Sequence, residues 1–118
     1  GLKPVDFNPV TVFKALADDL RLAALLLIRD QGKLCVCELT EALAVSQPKV
    51  SRHLASLRDA GLVDTERQGQ WVYYYLNPGL PVWLTRVLEE TARGNPTLVE
   101  APQVRLLAMA DRPEASCP

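Results

Sequence analysis

A strong charge of either sign is missing from this chain. Its 118 residues carry 13 Lys and Arg against 14 Asp and Glu, a formal net charge of −1. The strongly basic balance common among nucleic-acid-binding domains is therefore absent. Long apolar runs are missing too: the longest, Leu22 to Ile28, is seven residues, against about twenty needed to cross a bilayer. The stretch Gly1-Leu-Lys-Pro-Val-Asp has no apolar h-region, so neither a signal peptide nor a membrane partner is expected, and the expected location is cytoplasmic. Cysteine is scarce and odd in number, with Cys35, Cys37 and Cys117. That set does not make a secreted disulfide scaffold and reads as reduced thiols, which serve as metal ligands, redox switches or inert fillers. What is present, 48% apolar and 23% charged residues, excludes general disorder and fits one domain around one core.

The even charge balance conceals a local asymmetry. Residues 46–58 hold Lys49, Arg52 and Arg58 with no acid among them. The surrounding pattern gives this basic stretch a context. Asn8-Pro9 predicts a helix start, with Asn as cap and Pro in the first position. Asp18-Asp19 predicts a break and a second helix over 21–30, apolar on most of its surface and ended by Gly32 in the αL conformation. A short third helix is expected over 37–44, with Leu39 and Leu43 inward. Ser46 is placed to cap a fourth, in which Val50, Leu54 and Leu57 share one face and Gly61 follows the end. Two short helices with a tight connection form a helix-turn-helix pattern. Residues 62–68 and 71–76 are β-prone about Gln68-Gly69-Gln70, which predicts a hairpin, or wing. A fifth helix carries Leu80, Trp83, Leu84, Val87 and Leu88 on one stripe and closes at Gly94. The expected architecture is mainly α with a β-hairpin, a winged helix-turn-helix over residues 1–94. A Pro-punctuated tail occupies 95–118, with room for one short helix at 103–110.

On a helical wheel the outward face of the fourth helix is polar and partly basic in its N-terminal half, the half that enters a major groove. Arg52 suits a guanine edge, Gln47 adenine or phosphate, and Lys49, Ser51 and Ser56 phosphate or base. Arg67, Gln68 and Gln70 sit at the wing tip, within reach of a neighbouring groove or phosphate. His53, the single histidine, falls between faces and reads as a packing or capping residue.

The run Ser51-Arg-His-Leu-Ala-Ser-Leu-Arg-Asp-Ala-Gly-Leu-Val resembles the ArsR/SmtB family of winged-helix metal-sensing repressors. The likeness continues through Gln68-Gly-Gln-Trp-Val-Tyr-Tyr, appears earlier in Phe13-Lys-Ala-Leu-Ala-Asp-Asp-Leu-Arg-Leu, and covers roughly residues 10–93. Leu34-Cys-Val-Cys-Glu-Leu is similar to the metal box of the arsenite-responsive branch. The resemblance implies a homodimer joined through its first and fifth helices, bound to double-stranded operator DNA of inverted-repeat symmetry. It implies release when trivalent arsenic (arsenite or a related arsenical) or antimonite binds cysteine thiolates; no organic cofactor is expected.

Trivalent arsenic is soft and suits thiolates. Cys35 and Cys37 are expected at the start of the third helix, where the helix dipole favours thiolate and Lys33 assists. On a regular helix, however, residues two apart point about 200° from each other, so chelation is expected to require the turn to distort. The arsenite branch often carries a third thiol where this chain has Thr40. A third ligand then comes from Cys117, of either subunit, or from outside; Cys117 reads equally as a surface thiol without a role. A two-thiol site suits a monomethylated arsenical, which has two exchangeable positions. The family's zinc-type site on the fifth helix lacks support, because residues 80–93 offer only Glu89 and Glu90. A redox or persulfide switch at Cys35/Cys37 on the same fold is the alternative. A thiol enzyme is disfavoured because no Cys-x-x-Cys occurs and His53 is on the recognition helix.

Overall fold

The computed structural model describes residues 7–109, which form six helices and three strands. Helix α1 spans Pro9–Leu16, and the Asn8 side chain accepts hydrogen bonds from the N–H groups of Val10 and Thr11 at 2.9 and 3.3 Å. Helix α2, Asp19–Gln31, starts two residues before the expected position because Asp18 is its cap, accepting from Leu20 and Arg21 at 2.9 and 3.0 Å. Leu25, Leu26, Leu27 and Ile28 are wholly buried. An apolar surface on nearly every side makes α2 the post around which the other elements pack.

Gly32 ends α2 at φ 90° and ψ −57°. This differs from the expected αL conformation, although the positive φ still favours glycine. The chain then enters a strand that the sequence reading did not contain, β1 at Lys33–Cys35. Three residues are too few to show a period-two alternation. The hairpin itself formed as expected, β2 at Val63–Gln68 and β3 at Trp71–Leu76, about a turn with Gly69 at φ 63°. The three strands are antiparallel in the order β1-β3-β2, and Cys35 lies opposite Tyr73. The wing is thus stitched directly to the segment that carries the cysteines.

Helix α3, Val36–Leu43, and helix α4, Gln47–Asp59, make the helix-turn-helix. Their connection holds Ala44 at φ 56°, a left-handed conformation uncommon outside glycine. Val50, Leu54 and Leu57 are buried, as the stripe predicted. Helix α5 spans Val82–Gly94 and buries Leu84 and Leu88. Val82 and Trp83 stay exposed, and so do Val10 and Phe13 of α1. The Phe13 and Trp83 rings meet edge to face at 6.3 Å between centroids, joining the two helices into one apolar surface patch.

The short helix expected at 103–110 is instead α6 at Thr97–Leu107, and it passes through Pro102. Pro102 suggested a boundary because it lacks an N–H and crowds the preceding turn. Burial of Val99, Pro102 and Leu106 against α2 and α3 offsets that local cost. Arg105 Nε donates to the Ala42 carbonyl at 2.7 Å, fastening α6 to the C-terminal end of α3.

Candidate functional site

The cysteine pair does not occupy a regular helical turn. Cys35 is the last residue of β1 and the N-cap of α3, with φ −86° and ψ 168°, whereas Cys37 is inside the helix. The 200° separation holds only between two helical residues. An extended cap breaks it, and the two sulfurs lie 2.9 Å apart. The expectation that chelation needs a distorted first turn is therefore corrected: the pair converges without unwinding.

Glu38 holds that geometry. Its carboxylate accepts the Cys35 N–H at 3.0 Å, and its own N–H points at the Cys35 sulfur, a reciprocal capping box with thiol in place of hydroxyl. Glu38 is the one buried charged residue among the described residues, 2% exposed. The sequence contained the signal, Cys35-x-x-Glu38, but the capping-box pattern is normally sought with Ser or Thr. Burial pushes the Cys35 thiol above its ordinary pKa; the contact with Cys37 and the Glu38 N–H oppose the rise, and the Glu38 carboxylate adds to it. The expected thiolate-favouring effect of the helix start is outweighed at Cys35. Lys33 does not serve the thiols either: its Nζ lies 3.4 Å from Glu66 Oε1 and 4.9 Å from the Tyr73 ring centroid.

Beside the pair is a cleft of about 390 Å³. Helix α3 contributes Val36, Cys37 and Thr40 to it, Cys35 lines it from the end of β1, and β3 contributes Trp71 and Val72. Gln47 at the start of α4 and Gln70 in the wing turn complete its lining. Thr40 Oγ1 donates to the Val36 carbonyl at 2.8 Å, so its hydroxyl is already engaged where the arsenite branch often has a thiol. No group of three or more His, Cys, Asp or Glu able to hold a metal ion occurs among the described residues. Cys117, the expected third ligand, lies outside them.

The residues expected to face DNA fall on two neighbouring elements. Gln47, Lys49, Arg52 and Ser56 are exposed along α4, and Ser51 is half-buried at the edge of that face. The Ser56 hydroxyl donates to the Arg52 carbonyl at 3.2 Å. Arg67 and Gln68 end β2 and Gln70 follows in the turn, all exposed; Gln68 Nε2 donates to Glu66. His53 has the packing role expected of it. Arg21 Nη1 lies 3.2 Å from its Nδ1, while Arg21 Nε and Nη2 donate to the Ala15 and Lys14 carbonyls at 2.6 and 3.3 Å. One guanidinium thus ties the end of α1 to α4, a link that no local pattern reveals.

Comparison with known proteins agrees with this architecture. Residues 18–65 match the family described as bacterial regulatory protein, arsR family. The arsenic resistance transcriptional regulator ArsR1 of Pseudomonas putida is 50% identical over 108 residues, covering 92% of this chain and 84% of that one. The arsenical resistance operon repressor of Escherichia coli is 47% identical over 93 residues, 79% of this chain and 80% of its own. Among solved structures, the homodimeric winged helix-turn-helix DNA-binding domain Mb0332 from Mycobacterium bovis has a TM-score of 0.61 at 25% identity, covering 75% of this chain and 81% of that one. With a helix-turn-helix, a wing and 50% identity to a relative over 92% of its length, the chain belongs to the ArsR family of winged helix-turn-helix transcriptional regulators.

Proposed function

We propose that this chain is an arsenical-responsive repressor. It binds inverted-repeat operator DNA as a homodimer and leaves it when trivalent arsenic or antimony is captured by Cys35 and Cys37. One observation carries the reading: two thiols 2.9 Å apart sit at the joint between β1 and α3. A displacement of Cys35 acts on the wing through its pairing with β3. A displacement of Cys37 acts on α3, which packs on the recognition helix α4. The names of the Pseudomonas and Escherichia relatives support arsenic as the inducer and repression as the output.

Arsenite condenses with thiols by exchanging hydroxyl for sulfur, each thiol proton departing in a water molecule. The product carries no new buried charge, so the burial that penalises a free thiolate at Cys35 does not penalise the arsenic thioester-like site. Cys35, buried and with its pKa pushed up, does not suit the attacking thiolate of a redox or persulfide sensor. No third donor is required for capture by two thiols; Cys117 is a third ligand if it reaches the pair.

The apolar patch of Val10, Phe13, Val82 and Trp83 fits the proposed dimer seam, and the Mycobacterium bovis neighbour is described as homodimeric. Pairing through α1 and α5 gives two α4 helices for two half-sites about 34–36 Å apart. Arg52 reads a base edge, Gln47, Lys49, Ser51 and Ser56 contact base or phosphate, and Arg67, Gln68 and Gln70 engage the flanking backbone. Among the described residues no helix is long and apolar enough to cross a membrane; the proposed setting is cytoplasmic, where the thiols stay reduced.

The test is a titration of the protein with arsenite, reading thiolate–arsenic absorbance. The wild type develops that absorbance, and Cys37→Ser loses it while still shifting its own promoter fragment in a gel. Equal absorbance in the two proteins would remove Cys37 from the site.

A further inference from the structure

We infer that Arg21, on α2, is a positioning residue for DNA reading, which rests on the reading of α4 as the base-contacting helix. Through His53 its guanidinium sets the roll of α4 against α1, and with it the direction in which Arg52 points. Arg21 Nε donates to the Ala15 carbonyl at 2.6 Å and Nη2 to the Lys14 carbonyl at 3.3 Å. Both carbonyls belong to the last turn of α1, where acceptors outrun the helix's own donors. Nη1, the remaining nitrogen, lies 3.2 Å from His53 Nδ1 on α4. The main chain of Arg21 is held as well, its N–H donating to the Asp18 cap at 3.0 Å. A planar guanidinium with two nitrogens bound to backbone has little freedom left for the third. His53 therefore meets a fixed group.

That contact supplies what the rest of the attachment lacks. Val50, Leu54 and Leu57 are buried beneath α4, but apolar burial is non-directional and specifies the depth of a helix better than its roll. A hydrogen bond is directional. Guanidinium nitrogens only donate, so the 3.2 Å contact is a hydrogen bond when His53 Nδ1 is the unprotonated ring nitrogen. His53 is half-buried, between the buried Leu54 and the exposed Arg52. Side chains of one helix turn together, so whatever fixes His53 also aims Arg52, one residue earlier and about 100° round the axis. The other end of the fork grips α1 directly after Phe13, whose ring meets Trp83 in the apolar patch of the proposed dimer seam. Arg21 thus references the base-reading face to the seam. Contacts to phosphate carry no sequence information, whereas a base edge must be met in the right direction. Loosening the roll of α4 therefore costs specific binding and spares non-specific binding.

The experiment measures, for the full chain, the ratio of dissociation constants for a scrambled duplex and for its own promoter fragment of equal length. His53→Leu keeps apolar bulk and helix propensity but offers no acceptor. Its ratio is expected to fall about fivefold or more, the lower end of what one bidentate base contact supplies, with affinity for the scrambled duplex unchanged. His53→Asn, whose Oδ1 stands as many bonds from Cα as Nδ1 does, retains the wild-type ratio. Arg21→Lys keeps the charge without the fork; it lowers the ratio in the wild-type background and adds nothing in the His53→Leu background, the non-additivity of two residues acting as one. An unchanged ratio in His53→Leu, or an Asn variant that falls as far as the Leu variant, overturns the proposal. Should His53→Leu not fold, Arg21→Lys against wild type carries the same expectation, and an unchanged ratio there overturns it equally. Failure of the base-reading assignment looks different: Arg52→Ala then keeps the wild-type ratio, which overturns both.

Discussion

The two helices of the DNA-reading motif are held in opposite ways. Helix α3 is fixed at its ends: the Cys35–Glu38 capping box secures its start, and Arg105 of α6 donates to the Ala42 carbonyl near its finish. Helix α4 is fixed along one side. Its cap, Ser46, makes no side-chain hydrogen bond, and the helix is retained by Val50, Leu54 and Leu57 and by the Arg21–His53 contact. A ligand that pulls on the first turn of α3 therefore acts on a clamped body. Helix α4 has no such end clamp and is held by one apolar stripe and one side-chain contact. On the proposed function, the end-clamped helix carries the thiols and the side-attached helix reads DNA, so inducer-driven release would act by shifting α4 on its stripe.

The largest effect is expected where that side attachment is removed. Leu54→Ala leaves a cavity under α4 and costs about 2–5 kcal/mol of stability, measurable by denaturant unfolding. A loss below 1 kcal/mol would mean that α4 has other anchors. Breaking the end attachment is smaller. Glu38→Ala strands the buried Cys35 N–H and costs about 1–3 kcal/mol, with operator affinity of the folded protein preserved but its arsenite response weakened. An unaltered arsenite titration in that variant would show that the capping box does not organise the thiols.

The smallest effect concerns the cap of α2, which orients the scaffold under both helices. Hydrogen bonding from the Arg21 N–H holds Asp18 below the usual carboxylate range; His53, the Arg21 guanidinium and the Leu20 N–H act the same way, and partial burial opposes them. A depressed pKa in the folded state means the ionised cap contributes stability above the unfolded value, 3.8, and loses it as pH falls through the lower folded value. Asp18→Ala costs about 1 kcal/mol at neutral pH, and this difference from wild type shrinks in acid. A pH-independent difference would show that the carboxylate's charge is irrelevant to the cap.

The sequence made some of these parts readable and hid others for definable reasons. The α4 stripe and the hairpin stood out because Val50, Leu54 and Leu57 repeat at helical spacing and Trp71-Val-Tyr-Tyr-Tyr is strongly β-favouring. The exposed face of Gln47, Lys49, Arg52 and Ser56 followed from the same wheel. Strand β1 was invisible because it is three residues long and exists by pairing with β3, nearly forty residues away in the chain. That omission propagates: without β1, regular helical geometry is extended back to Cys35 at the helix start, and the convergence of its sulfur with that of Cys37 does not emerge. The start of α6 was misplaced because Pro102 is locally a helix breaker, and only burial against α2 and α3 overrides it. The Arg21–His53 link joins residues 32 positions apart and leaves no periodic trace.

The central claim is that arsenic capture by Cys35 and Cys37 and operator binding by α4 oppose each other. Fluorescence anisotropy of a labelled fragment of the chain's own promoter, titrated with protein in the presence and absence of saturating arsenite, tests it most directly. The account predicts that arsenite weakens wild-type binding by about 5- to 150-fold, the usual range of allosteric coupling, and leaves Cys35→Ser binding at its arsenite-free affinity. Equal operator affinity of the wild type with and without arsenite, or release of Cys35→Ser at the same arsenite concentration, would contradict it.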